Sequence, residues 1–112
     1  MTYQCEKLDL TPSRLRVYAT AIKYGKGQAV TQKELAERWG VSDRAVRRII
    51  AALRQNRIGD GVLIAGLQGY WMTENPVEIR AWVKYTKRKT RALQRITEGA
   101  EAVLRGLEGA EL

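Results

Sequence analysis

The sequence contains no histidine, no phenylalanine and a single cysteine, Cys5, in 112 residues. Without histidine and with one thiol, the chain can build no Cys/His zinc cage, no intramolecular disulfide and no Ser-His or Cys-His nucleophile. Serine is almost as scarce: Ser13 and Ser42 both stand where helices are expected to start. Glu34 and Glu37 lie one turn apart on a short helical segment, where solvation accounts for them. The expectation is a chain that is not an enzyme, with no metal, no cofactor and no evident small-molecule ligand. Long apolar runs are also missing, since none approaches the roughly 18 residues a membrane span requires. Residues Met1–Leu10 carry Glu6, Lys7 and Asp9 where a signal peptide is apolar, so a cytoplasmic location and no membrane partner are expected.

What the chain does hold is positive charge. Twenty Lys and Arg face 12 Asp and Glu, a formal net charge of +8. A field of that sign points to a polyanion, most simply a phosphate backbone. The hydrophobic fraction of 45% suffices for a packed core. The charge is patterned: residues 61–75 hold no basic and one acidic side chain, residues 76–98 seven and two, and residues 99–112 one and three.

Thr11-Pro12-Ser13 reads as a helix start, with Thr11 able to cap and Pro12 pre-set at the first position. Leu15, Tyr18, Ala19 and Ile22 follow at helical spacing, and Gly25 and Gly27 are expected to end the helix. Thr31-Gln32-Lys33-Glu34 is a capping box, followed by a buried stripe of Leu35, Ala36 and Trp39 and a stop at Gly40. Ser42 caps a third helix, apolar at Ala45, Val46, Ile49, Ile50 and Leu53 and polar at Asp43, Arg44, Arg47, Arg48 and Arg54. Val62–Ala65 and Tyr70–Thr73 are β-type runs joined by Gly66-Leu67-Gln68-Gly69, as in a hairpin. Asn75-Pro76-Val77-Glu78 starts a further helix that runs to about Leu107.

Two short helices divided by a glycine, the second rich in arginine, are what a helix-turn-helix needs. The apolar or small positions fall on Leu35, Ala36, Trp39, Val41, Val46 and Ile49, and the turn glycine on Gly40. A generic helical hairpin shares the apolar spacing but not the joint placement of a small residue, the glycine and a capped arginine-rich helix. Residues 13–75, closing on Gly69-Tyr70-Trp71-Met72, resemble the winged helix-turn-helix of the biotin-repressor type. The resemblance implies that Ser42, Asp43, Arg44, Arg47, Arg48 and Ala51 face the major groove of DNA. It departs from the family in two respects: the wing tip carries no Lys or Arg, and a basic helix stands where that repressor has its ligase half. Small phage and prophage proteins of bacterial hosts are similar in having a winged helix with a basic tail.

Read from the residues, the guanidinium groups of Arg44, Arg47 and Arg48 can each fork onto a guanine edge or a phosphate. The Asp43 carboxylate has three readings: accepting from a cytosine amine, orienting Arg47, or stabilising the helix N-terminus. Lys33, Arg54, Lys84, Lys87, Arg88, Lys89 and Arg91 are candidate backbone contacts. Beyond them Leu93, Ile96, Ala100, Val103 and Leu107 continue a four-three spacing that begins at Trp82, Thr86 and Lys89. That spacing suits a self-association seam, and hence a homodimer or higher oligomer on a pseudo-palindromic site.

The expected fold is therefore mainly α with a small β-hairpin wing, a winged helix-turn-helix over 1–75 followed by a long basic helix over 76–112. The expected function is double-stranded DNA binding by a bacterial or phage transcriptional regulator, cytoplasmic and nucleoid-associated. The alternatives are a phage replication-organiser and a protein-interaction module on the same scaffold.

Overall fold

Thr31 and Glu34 begin the part of the chain on which the remaining packing is built. The Glu34 amide donates to Thr31 Oγ1 at 3.1 Å and the Thr31 amide donates to Glu34 Oε1 at 3.3 Å, so two amide donors at the helix start are satisfied. They open α2 (Gln32–Trp39), which ends at Gly40 in the left-handed conformation, φ 66° and ψ 40°. The Val41 amide reaches back to the Ala36 carbonyl at 3.0 Å, the closing bond of a Schellman turn. Two residues later Ser42 Oγ accepts from the Ala45 amide at 3.1 Å and starts α3 (Asp43–Gln55). This computed structural model describes residues 7–59 and 61–110. The expectation of a disulfide-free Cys5 falls outside them.

The first helix, α1 (Pro12–Ala19), is shorter than the apolar spacing suggests. It ends at Thr20, whose hydroxyl donates to the Val17 carbonyl at 2.6 Å. Ala21 and Ile22 then continue in tighter turns, bonded to the carbonyls of Tyr18 and Ala19, and stay buried. Burial thus outlasts the helix, which is why the apolar spacing overestimates its length. Thr11 does not cap α1 with its side chain. Its amide donates to Asp9 Oδ1 at 3.0 Å, and hydrogen bonding by the Thr11 side chain and amide holds the exposed Asp9 carboxyl below its usual value.

Strands β1 (Val62–Gly66) and β2 (Gly69–Thr73) pair antiparallel, with Ile64 opposite Trp71 and Gly66 opposite Gly69. The connecting turn is therefore Leu67-Gln68 alone, two residues shorter than the loop expected from composition. The sequence also left the second edge of β2 without a partner. In the fold that edge is covered by the segment between α1 and α2. Val30 and Tyr70 exchange amide–carbonyl bonds of 2.9 and 2.7 Å, and Met72 takes a bond from the Gly25 amide and gives one to the Lys23 carbonyl. These are isolated bridges, too short to leave a period in the sequence. Gly69 is what lets Val30 in: its φ is +120° and a Cβ there would collide with the Val30 carbonyl.

Leu15, Leu35, Val46 and Ile49 are the largest side chains sealed from solvent, and Ile22, Ile50, Leu53, Leu63 and Met72 complete the core around them. Tyr18 meets Trp39 edge to face at 5.2 Å, and Arg14 lies 5.0 Å over the Tyr18 ring. The core thus joins three helices to the hairpin.

The chain divides into two compact units, Met1–Asn75 and Pro76–Leu112. The second is α4 (Pro76–Ala110), 35 residues of unbroken helix, about 52 Å long at 1.5 Å per residue. It passes through Gly99 and Gly106 and extends beyond the expected end near Leu107. Among the described residues no helix is long and apolar enough to cross a membrane.

Two glycine substitutions should separate conformational from steric demand. At Gly40 an added Cβ meets nothing within 4 Å, so Gly40→Ala carries only the left-handed backbone penalty of about 1–2 kcal/mol. Gly69→Ala adds the collision with Val30 and should cost more, about 2–4 kcal/mol, with the Val30–Tyr70 bonds broken. Urea unfolding of both variants checks the order.

Candidate nucleic-acid interface

The chemistry of α3 follows from which of its faces is buried. Ala45, Val46, Ile49, Ile50, Ala52 and Leu53 are all inside. Since a helix advances about 100° per residue, the side facing away must carry positions 44, 47, 48 and 51. Ser42, Asp43, Arg44, Arg47, Arg48 and Ala51 are accordingly all exposed. The structure brings these six together on one end and one side of a single helix. Gln55 continues the same side one turn beyond Ala51 and is exposed as well. The sequence reading missed it, although the four-residue step from Ala51 would have found it.

Asp43 lies in the first turn of α3. There its carboxylate meets the positive end of the helix dipole, and the Ser42 cap beside it satisfies one amide of the same turn. Arginines projecting from a helix capped in this way are held on a rigid element. Their Cα positions are set by the core.

Arg54 behaves differently from its neighbours. Read from the sequence as a backbone contact on the polar side of α3, it is half-buried, and its Nε donates to the Leu63 carbonyl of β1 at 3.1 Å. Burial lowers the pKa of its guanidinium, with the Tyr70 side chain opposing that shift. This placement has a simple cause: position 54 lies at the border between the two faces of α3, and the hairpin packs over that border. Arg54 therefore ties α3 to the hairpin.

The wing tip offers little to a phosphate. Leu67 projects wholly into solvent there, and the hairpin carries neither Lys nor Arg. Lys33 is exposed near the start of α2.

The remaining basic side chains are ordered by the continuity of α4. At about 100° per residue, Arg80, Lys84, Lys87, Arg88, Arg91 and Arg95 fall within an arc of roughly 100°. All six are exposed. Lys89 does not belong to this stripe; it lies on the opposite side, in line with Leu93, Ile96, Ala100, Val103 and Leu107. Of the five α4 residues read as backbone contacts, four share the stripe and Lys89 lies off it. Trp82 and Tyr85 stack at 5.5 Å between ring centres on the first turns of the helix.

Residues 17–70 match the family model described as an HTH domain. The match begins within α1, spans α2, the Gly40 turn, α3 and β1, and ends in β2. It supports a helix-turn-helix DNA-binding domain in this part of the chain. With the antiparallel hairpin and the long helix that follows, the architecture is mainly helical and consistent with a winged helix-turn-helix. No curated protein and no solved structure gives a significant match.

If Arg54 holds the hairpin on α3, Arg54→Ala should lower stability by about 1–3 kcal/mol, because the partly buried Leu63 carbonyl loses its donor. Thermal unfolding measures this. Arg47→Ala, on the exposed side, should stay within about 0.5 kcal/mol of the parent.

Proposed function

We propose that this chain is a duplex DNA-binding protein acting as a bacterial or phage transcriptional regulator, without catalytic activity, in the cytoplasm and on the nucleoid. The observation that carries the reading is the exposed side of α3, where Ser42, Asp43, Arg44, Arg47, Arg48 and Ala51 stand opposite a fully buried face. The helix N-terminus and these side chains suit the major groove, which admits one α-helix and presents guanine O6 and N7 to a forked guanidinium. Phosphate contacts come from Lys33 and from the α4 stripe of Lys84, Lys87, Arg88 and Arg91, which supply the charge that the wing lacks.

The opposite side of α4 supports self-association. Leu93, Ile96, Val103 and Leu107 are each more than half exposed. A homodimer buries four such side chains on each copy, eight in all, at about 1.5–3 kcal/mol each at most. Association itself costs roughly 4–15 kcal/mol, so a homodimer of micromolar strength is the expected outcome.

One observation favours a second reading, a protein-interaction module on the same scaffold: the uncharged turn with Leu67 fully in solvent. Salt dependence separates the two. Groove and phosphate binding loses affinity steeply between about 50 and 200 mM salt, whereas docking through an apolar tip does not.

Selection of bound duplexes from a random pool supplies the preferred site. On that site Arg47→Ala should cost about 1–3 kcal/mol, and less on random duplex, if Arg47 reads a base. Unchanged affinity of an Arg44→Ala, Arg47→Ala, Arg48→Ala triple variant sinks the DNA reading. Replacing Lys87, Arg88 and Arg91 by alanine should weaken binding to all duplexes alike and reduce the salt slope by about 0.9 for each phosphate no longer neutralised. Lys89→Ala, off the stripe, should leave that slope unchanged.

A further inference from the structure

We infer that Trp82, Tyr85, Arg88 and Lys89 form a stacking site on α4 for an unpaired base of a single-stranded nucleic acid. All four residues lie on one continuous helix, so the site is complete within the second unit. It is separate from the exposed side of α3 and does not rest on the duplex reading proposed above.

Trp82 and Tyr85 are three residues apart, a spacing at which side chains on one helix meet. Their ring centres are 5.5 Å apart and their planes are inclined by 31°, closer to a stack than the edge-to-face pair of Tyr18 and Trp39 at 64°. Trp82 is partly buried, whereas Tyr85 remains 46% exposed beside it. Packing on Trp82 positions the Tyr85 ring, and the exposed remainder of that ring is a flat apolar surface open to solvent. A ring held in place before binding loses less freedom when a second flat group is laid on it.

Charge selects the occupant. From Ile79 to Thr97 the chain holds seven Lys and Arg and no Asp or Glu. At about 100° per residue, Arg88 lies about 60° to one side of Tyr85 and Lys89 about 40° to the other, each roughly one turn along the helix. Cations thus flank the exposed ring on both sides. Lys89 lies off the basic stripe and interrupts the otherwise uncharged line of Trp82, Thr86, Leu93 and Ile96. An apolar seam has no use for it there, and pairing this stretch with the same stretch of a second copy sets seven cations against seven. A nucleic acid strand supplies both a flat π-face for the ring and negative charge for the cations. The strand is single, because in a duplex the base faces are covered by neighbouring pairs and only base edges are reached from the grooves. An acidic peptide satisfies the cations but brings the ring nothing to stack on. Arg88 also forms one border of the basic stripe, so a strand with a base on Tyr85 can run its phosphates onto that stripe.

The test uses the full chain and labelled probes of equal length: an oligothymidylate, an abasic strand of the same charge, and a duplex. Fluorescence anisotropy gives the affinities. The expected result is that oligothymidylate binds at least about tenfold tighter than the abasic strand. Tyr85→Ala should weaken oligothymidylate binding by roughly five- to a hundredfold and change binding of the abasic strand and the duplex by less than about twofold. Tyr85→Leu, which keeps apolar bulk and raises helix propensity, should show the same loss, and Tyr85→Phe, which keeps the ring, should not. Lys89→Ala should lower the salt slope on oligothymidylate by about 0.7 and leave that on the duplex unchanged. Equal affinity for oligothymidylate and the abasic strand overturns the site, as does a Tyr85→Leu variant that still discriminates between them. Polyglutamate displacing the labelled oligothymidylate as well as unlabelled oligothymidylate does overturns it in favour of an acidic protein partner. Loss of duplex binding with the oligothymidylate preference intact strikes down the duplex reading alone, and the converse strikes down this site alone.

Discussion

The burial of Val46 and Ile49 governs how the rest of this molecule is arranged. Both side chains are sealed from solvent against a core that includes Leu15 and Leu35. With them inside, α3 cannot rotate about its axis without moving apolar surface into water, at about 25 cal/mol per Å². Arg44, Arg47, Arg48 and Ala51 face outward as a result. The tight turn at Gly40 adds the second restraint, because α2 ends and α3 begins within three residues. The arginine-rich face of α3 is thereby fixed in both rotation and position.

The hairpin and the long helix differ in how their charge is placed. The hairpin is held firmly: β2 has β1 on one edge and Val30 with the Lys23–Gly25 stretch on the other, and Arg54 joins β1 to α3. Its tip carries no cation. The cations lie instead along one side of α4, where a continuous helix aligns six of them. From Leu93 onward the opposite side of the same helix is apolar. Binding to a polyanion and pairing with another helix therefore compete for no surface, and a single element can do both.

Much of the motif was legible in advance because its signals are local. The Thr31–Glu34 box, Gly40 and the Ser42 cap each depend on residues within four positions, and all three formed as read. The readings that changed were those that required distant neighbours. Thr11 looked like a cap, but Asp9 engages its amide. Apolar residues continued past the end of α1 because the core, not the helix, needed them. Arg54 looked like one more surface arginine until the hairpin packed over it. The bridges of Val30 and Tyr24 to β2 involve single residues and leave no period to detect.

By itself, the sequence determined which faces exist: the apolar side of α3, the exposed arginines opposite, the charge-free wing tip, and the basic and apolar sides of α4. These follow from spacing along one chain, since helical and strand periods are properties of the backbone. Only the tertiary structure decided where those faces end. It ended α1 at Ala19, set Arg54 against β1 and gave β2 its second neighbour. Such boundaries depend on residues far apart in sequence meeting in space, and spacing along the chain carries no record of those meetings.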